Sequence, residues 1–291
     1  MPILSPLRYP GSKRRQAPLI GKILQENTLR PELFVELFSG GASVALHLLL
    51  ENRVGNVGLV DIDPLISSFW KTVFFDTKWL VEKIRDSEIT LEEWKHIKTN
   101  LCNFQDDRTR AYACLFLNRT SFSGILKNDA GPIGGYHQKS QYTIDCRFPK
   151  DVIIERIETL SCMKKRVAFV WCCDWKRAIQ RLNRKQIRKR YGPNLLCYFD
   201  PPFFVNGERL YRFTFDNIHH RELRRYLDKC SYDWILSYDD SDQFRELYNN
   251  HSHMSHNYNI YYTVSKRTAP KRSNEVLVTK LLLTSDGGEH A

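Results

Sequence analysis

Two consecutive prolines, Pro201 and Pro202, stand directly behind an apolar and aromatic run, Leu195 to Phe199, and a single acid, Asp200. Proline cannot donate to a β ladder, so a strand that ends here has to leave through a rigid turn. The turn holds a carboxylate and backbone carbonyls in fixed positions, and Phe203 adds a flat ring beside them. That set suits an exocyclic amine on a nucleobase. Such an amine is a poor nucleophile because its lone pair is delocalised into the ring, and accepting its two hydrogens helps to localise the pair. An aromatic face can hold a flipped base by stacking, worth roughly 1–3 kcal/mol. Asp200, Pro201, Pro202 and Phe203 are therefore the candidate catalytic residues.

Two earlier segments make a similar strand-to-turn transition. Leu33 to Phe38 (LFVELF) is a short apolar run broken by Ser39, Gly40 and Gly41 and followed by the helix-like ASVALHLLLEN. About twenty residues later NVGLVDIDP reads as a strand ending on Asp61 and Asp63. A carboxylate at that edge can accept from ribose hydroxyls. The alternative is that an acid before Pro64 caps a helix. SGGAS itself is neither GxGxxG nor a phosphate-gripping GxxxxGK[ST] loop.

Further strands are expected at 167–174, 233–240, 257–264 and 275–283, with helical segments such as WKRAIQRLN, HHRELRRYLDKC and SDQFRELYNN between most of them. The pattern implies a mainly parallel α/β sheet closed by a late pair of strands able to run antiparallel. Ligands of such sheets sit at the C-terminal ends of the strands. Residues 77–149 break the alternation with helical stretches and then a Gly-rich, polar stretch from Ser121 to Tyr142, as expected of an insertion ending in a recognition loop or hairpin.

Charge narrows the choice of partner. The formal net charge is +11, and eight Lys/Arg with no acid fall within residues 176–190. A polyanion, nucleic acid first, is the expected partner of such a patch. Ile179, Leu182 and Ile187 would let one helical face of this run pack while Arg184, Lys185, Arg188 and Lys189 contact phosphates; the competing reading is a solvated helix face. The sequence has no apolar run long enough to span a membrane and no signal-peptide pattern, so a soluble cytoplasmic protein is expected. Eight cysteines without paired spacing read as reduced thiols. Cys172 and Cys173 are adjacent, and His251, His253 and His256 lie in a polar stretch, so no metal is expected.

These motifs, in this order, resemble the Dam-like, D12-class family of adenine-N6 DNA methyltransferases: RYPGSK (Arg8 to Lys13), FVELFSGGAS, VDIDP, an insertion, and DPPF. The resemblance spans most of the chain. It implies a Rossmann-like S-adenosylmethionine-dependent methyltransferase sheet formed by residues 1–76 and 150–291, with an inserted, mainly helical target-recognition domain at 77–149. In the carried-over roles, Tyr9 and Lys13 contact the cofactor and the floor of the site, Phe38 and Gly40 line the methionine end, and Asp61 binds the ribose. Asp174 accepts from the cofactor adenine, with Trp175 beside its ring. Asp200 and the Pro201 carbonyl hold the target amine, and Phe203 stacks on the flipped adenine, where the family more often has tyrosine.

NRTSFSGILKN (Asn118 to Asn128) resembles the stretch that enters the DNA. Phe122 is a candidate wedge beside the target, and Lys127, Asn128, His137 and Lys139 are candidates for base or phosphate contacts. The implied partners are S-adenosylmethionine and double-stranded DNA in a bacterial or phage-infected cell. A restriction endonuclease acting on the same site is a candidate partner, no membrane is involved, and a monomer is compatible with the sequence. Two other readings stay open: a cytosine-N4 enzyme, whose target is also an exocyclic amine, and a DNA-binding protein that has lost catalysis. No Pro-Cys pair occurs, as the cytosine-C5 enzymes require.

Overall fold

The structure, a computed structural model, describes residues 5–8, 13–204, 207–248, 254–262 and 271–282. Its strands are β1 (Leu33–Glu36), β2 (Asn56–Asp61), β3 (Val167–Cys172), β4 (Leu195–Phe199), β5 (Asp233–Asp239), β6 (Met254–Tyr262) and β7 (Lys271–Thr279). They form one seven-stranded sheet in the order β3-β2-β1-β4-β5-β7-β6. The first five strands are parallel. β7 returns antiparallel to β5 and pairs antiparallel with β6, so the late pair closes the sheet in the expected sense.

Helices α1 (Ala17–Glu26), α2 (Ser43–Leu50) and α3 (Pro64–Phe75) accompany the first strands. Between β2 and β3 stand α4 (Thr77–Asp86), α5 (Leu91–Asn100), α6 (Asp107–Thr120) and α7 (Lys150–Ser161). Next come α8 (Trp175–Leu182) and α9 (Lys185–Tyr191) before β4, α10 (Gly207–Leu210) and α11 (Asn217–Lys229) before β5, and α12 (Asp242–Tyr248) after it. The architecture is mixed α/β with a mostly parallel sheet.

Strand alternation sorts the core into two faces. Phe34, Val57, Leu59, Leu196, Tyr198, Ile235 and Leu277 join the cluster formed with α1 to α7. Their neighbours Leu33, Val35, Val60, Leu195, Cys197, Phe199, Trp234 and Leu236 face α8, α11 and α12. Because both faces are covered, the strands read as near-continuous apolar runs. Apolar residues of the segment between β2 and β3, including Trp94, Ile97 and Phe116, belong to the first cluster. The polar stretch after α6 forms no paired strands; it has a 3-10 turn at Phe122–Gly124, one bridge between Ser121 and Pro132, and a series of turns.

The basic run is two helices, because α8 closes at Asn183 and α9 starts afresh behind Arg184. All eight cysteines are free. Among the described residues no helix is long and apolar enough to cross a membrane.

Asn118 and Arg119 are buried and anchor the segment that leads to the first motif. Asn118 Oδ1 accepts from the Arg8 amide at 2.6 Å, its Nδ2 donates to the Gly124 carbonyl at 2.9 Å, and Arg119 Nε donates to the Pro6 carbonyl at 2.7 Å. Gly124 sits at φ +75°, and a Cβ there would run into the Arg8 carbonyl. Gly124→Ala should therefore lower stability by about 1–3 kcal/mol and speed hydrogen exchange at the Arg8 amide. Thermal unfolding with exchange mass spectrometry checks both; wild-type protection at Arg8 would show that this anchor is dispensable.

Candidate active site

The C-terminal ends of β1, β2 and β4 open into a cleft of about 620 Å³ lined by Lys13, Phe38, Gly40, Asp61, Asp200 and Pro202, among others. Phe38, Ile62, Pro202 and Phe213 are shared with a second lobe of about 760 Å³, which Asp174 and Trp175 line from the start of α8. The carried-over cofactor and catalytic positions thus converge on one two-lobed groove, with three exceptions. Tyr9 lies outside the described residues. Pro201 is buried behind the wall, and Phe203 is half-buried at the rim, edge-on to Tyr211 at 6.3 Å.

The turn after β1 owes its shape to backbone groups held from both sides. Gly40 takes φ +43° and Ala42 φ +50°, a region that disfavours L-residues other than glycine. Gly40 N donates to Asp61 Oδ2 at 2.8 Å, and Trp70 Nε1 on α3 donates to the Gly40 carbonyl at 2.8 Å. Asp61 Oδ1 accepts from the Asp63 amide at 2.9 Å. Burial, with Asp63 close by, pushes the Asp61 carboxyl up to about 7 against those two donors. Asp63 caps α3 by accepting from Leu65 N at 2.9 Å and pairs with Arg212 at 2.5 Å. Asp63 therefore caps the helix, as the alternative reading had it, while both acids of VDIDP line the cleft.

At the other wall, the 3-10 turn Lys13–Arg15 delivers a buried ammonium. Lys13 Nζ lies 3.2 Å from Asp200 Oδ1, 3.1 Å from Glu275 Oε1 and 4.5 Å from the centroid of the Phe203 ring. Burial works against its charge, but the two carboxylates outweigh that and raise its pKa. Asp200 Oδ1 also accepts from Ser237 Oγ at 2.8 Å, and the Tyr198 hydroxyl stands 2.8 Å behind Ser237. Burial pushes the Asp200 carboxyl up to about 6; Lys13 and Ser237 pull it down while Glu275 pushes it further up. Glu36, at the end of β1, accepts from Ala45 N at 2.9 Å, and burial holds its carboxyl well above the usual range.

Glu36, Ser237, Glu275, Tyr211 and Arg212 were not among the sequence candidates. Glu36 carried a signal, a lone acid inside the apolar run LFVELF. Glu275 carried none, because it reaches the cleft only through antiparallel pairing with Asp239 at the end of β5.

On the far side of the second lobe, Asp174 caps α8 by accepting from Arg177 N at 3.0 Å. Trp175 is buried against Tyr226, with ring centroids 5.6 Å apart. The candidate DNA contacts fall into two groups. Phe122, at 64% exposure, is on the surface with Asn128, His137 and Lys139, whereas Lys127 is half-buried and its carbonyl accepts from Lys98 at 2.5 Å. Arg184, Lys185, Arg188 and Lys189 are exposed, but the structure does not bring them to the cleft. α9 runs through a 3-10 turn into the first residue of β4, and Arg188 lies over Tyr232, just before β5. They occupy the N-terminal edge of the sheet. Among the described residues no group of three His, Cys, Asp or Glu is placed to hold a metal ion, and His251 and His253 lie outside those residues.

Removing the Ser237 hydroxyl takes a donor from the ionised form of Asp200, so Ser237→Ala should move the Asp200 titration midpoint above about 6. Carboxyl-carbon NMR titration measures it, and an unmoved or lower midpoint would contradict the hydrogen bond.

The profile of a family described as D12 class N6 adenine-specific DNA methyltransferase matches residues 9–268. No curated protein sequence matches the chain at a significant level.

Proposed function

Since the chain belongs to the D12 class N6 adenine-specific DNA methyltransferase family, we propose that its cleft transfers a methyl group from S-adenosylmethionine to the N6 amine of an adenine flipped out of duplex DNA. One observation carries the reading: Asp200, Pro202, Lys13 and Asp61 line a single groove although they come from separate parts of the chain. The residues present fit the cofactor. Asp61 and Gly40 line the first lobe, where each Asp61 oxygen can accept one more hydrogen bond, from a ribose hydroxyl, beside its backbone donor, and Asp174 and Trp175 line a second lobe suited to a flat base. Burial, with nearby acids, raises the carboxyls of Glu36 and Asp61, so a cationic ligand is favoured beside them.

S-adenosylmethionine, when bound, supplies an electrophilic sulfonium methyl. Asp200, in its ionised form, accepts one hydrogen of the target amine, with the Pro201 carbonyl as second acceptor, and turns the lone pair toward the methyl. Lys13 and Ser237 keep that carboxylate oriented; neither needs to form a covalent bond. Phe203 offers a ring face to the base while Lys13 occupies its other side at 4.5 Å. Much of the acceleration then comes from positioning. Residues 77–149 serve as the target-recognition region, with Phe122, Lys127, Asn128, His137 and Lys139 facing the duplex. We assign the marking of DNA, in restriction-modification or as a genome signal, to a cytoplasmic setting. The cytosine-N4 alternative shares the acceptor geometry and is separated from the adenine reading by the product.

Tritiated methyl transfer to unmethylated genomic DNA, with nucleoside mass spectrometry, should yield N6-methyladenine; N4-methylcytosine would change the base, and no product would favour a binding-only protein. Asp200→Ala should abolish transfer while leaving DNA affinity within about threefold, and near-wild-type turnover would remove that carboxylate from the mechanism. Because Asp200 has to be ionised and its pKa is raised to about 6, the rate should fall as pH drops through about 6 and level off above about 7. A flat profile from pH 5 to 8 would show that its charge is not needed.

A further inference from the structure

The basic run accounts for most of the net charge, yet five of its eight cations lie at α9, at the sheet edge away from the cleft. α8 starts at the second lobe, where Trp175 lines the groove, and packs over the sheet with Ala178, Ile179 and Leu182 buried. It ends at Asn183, whose side chain accepts from the Tyr232 hydroxyl at 3.1 Å, just ahead of β5. α9 follows along the N-terminal edge.

Two features make this surface more than a solvated face. First, among the described residues no carboxylate pairs with Arg184, Lys185, Arg188 or Lys189, whereas the acids on neighbouring α11 are engaged, Glu222 by Lys176 and Asp228 by Arg224. Second, α11 extends the same sign of charge, with exposed Arg225 and Lys229 one turn apart on its outer side. Arg177 and Arg181 repeat that spacing on α8, and the Arg181 guanidinium lies 5.2 Å from the centroid of the Trp171 ring on the edge strand β3. Exposed cations therefore stand on α8, α9 and α11, whose buried sides pack on the face of the sheet opposite α4 to α6.

We propose that α8, α9 and α11 form a second nucleic-acid surface that takes the phosphate backbone of a DNA segment other than the one entering the cleft. The inference rests on the reading of the cleft as the place where target DNA engages. A duplex is stiff over about 150 base pairs, so a straight segment laid across the C-terminal ends of the strands cannot also turn down to α9 at the other edge. Arginine and lysine with no base-reading partners favour sequence-independent phosphate contact. Its use would be to hold a second, non-target segment, or a distant loop of the same molecule, while the cleft works on its site.

The test uses the full chain, without S-adenosylmethionine, and one fluorescent duplex of about 12 base pairs, roughly 40 Å long, titrated under stoichiometric conditions. Wild type should bind a second equivalent of this duplex, read by anisotropy and sedimentation. Replacing Arg184, Lys185, Arg188 and Lys189 with Gln should weaken that second event by roughly tenfold or more and flatten its log–log salt slope by about 0.9 per lost phosphate contact. A variant with Arg184→Lys and Arg188→Lys should retain it, since charge is kept. First-equivalent binding should be unchanged in all three proteins.

A single equivalent in wild type would overturn the proposal, as would loss of the first equivalent in the Gln variant, which would make α9 part of the target interface. Binding of polyglutamate in place of the second duplex would overturn it too and point to an acidic protein. Because no readout involves methyl transfer, failure of the methyltransferase reading would show separately, in the product assay.

Discussion

The site depends on one buried cation. Lys13 is almost wholly enclosed, and its ammonium reaches Asp200 and Glu275 at 3.2 and 3.1 Å. Transferring an ammonium from water into such a position alone would cost several kcal/mol even after relaxation, so the lysine is tolerable only with the carboxylates in place. The converse also holds. Two acids this close could not both ionise without a cation between them. Three distant segments are thereby tied together: the turn before α1, the end of β4 and the closing strand β7. The cleft is complete only when the antiparallel pair has docked, because β7 supplies the second carboxylate.

The same enclosure accounts for the Asp200 carboxyl. Burial raises it to about 6 and the neighbouring Glu275 pushes the same way, while Lys13 and Ser237 offset only part of the rise. Ser237 and Tyr198, on strands β5 and β4, extend the polar patch along one face of the sheet. Phe34, Leu196 and Ile235 lie on that same face deeper in the core. The polar residues are confined to the C-terminal ends, where the parallel strands run out of ladder partners and a groove can open. On the opposite face, the second lobe is walled by Trp175, Phe215 and Phe38, with Phe38 and Phe215 edge-to-face at 5.6 Å. One lobe is therefore charged and the other largely aromatic.

Much of this was legible in the chain itself. Short apolar runs ended by Gly40-Gly41, Asp61 and Asp200-Pro201-Pro202 marked β1, β2 and β4, since each stop has a local chemical cause. What could not be read was register. Glu275 and Ser237 are a buried acid and a buried serine in strands, with nothing local to distinguish them. Their meaning arises only because Asp239 pairs with Glu275 and β5 lies beside β4. The late strands show the same limit: β7 begins at Lys271, four residues before the apolar run, because it pairs with β6 out to Tyr262. Asn118 and Arg119 mislead in the other direction. Polar residues in a candidate recognition stretch are expected outside, yet these two are buried where they satisfy backbone groups of Pro6 and Arg8.

Charge is the clearest case of a property whose amount is set by sequence and whose meaning is set by placement. The cleft gathers Glu36, Asp61, Asp63 and Asp200 against Lys13 and Arg212, so by itself it does not attract a polyanion. The surplus lies over α8, α9 and α11. Long-range attraction would orient a duplex toward that face first, within a screening length of about 8 Å at physiological salt. In the proposed function, delivery of a base to the carboxylate-lined groove would rest on short-range contacts elsewhere, where Phe122, His137 and Lys139 stand exposed beside turns fixed by Gln138 donating to the carbonyls of Ile133 and Gly135. Separating general attraction from local docking in this way keeps the strongest positive field away from Asp200. The raised pKa of that carboxyl is then governed by its burial, with Lys13, Glu275 and Ser237 around it, rather than by however much nucleic acid happens to be bound.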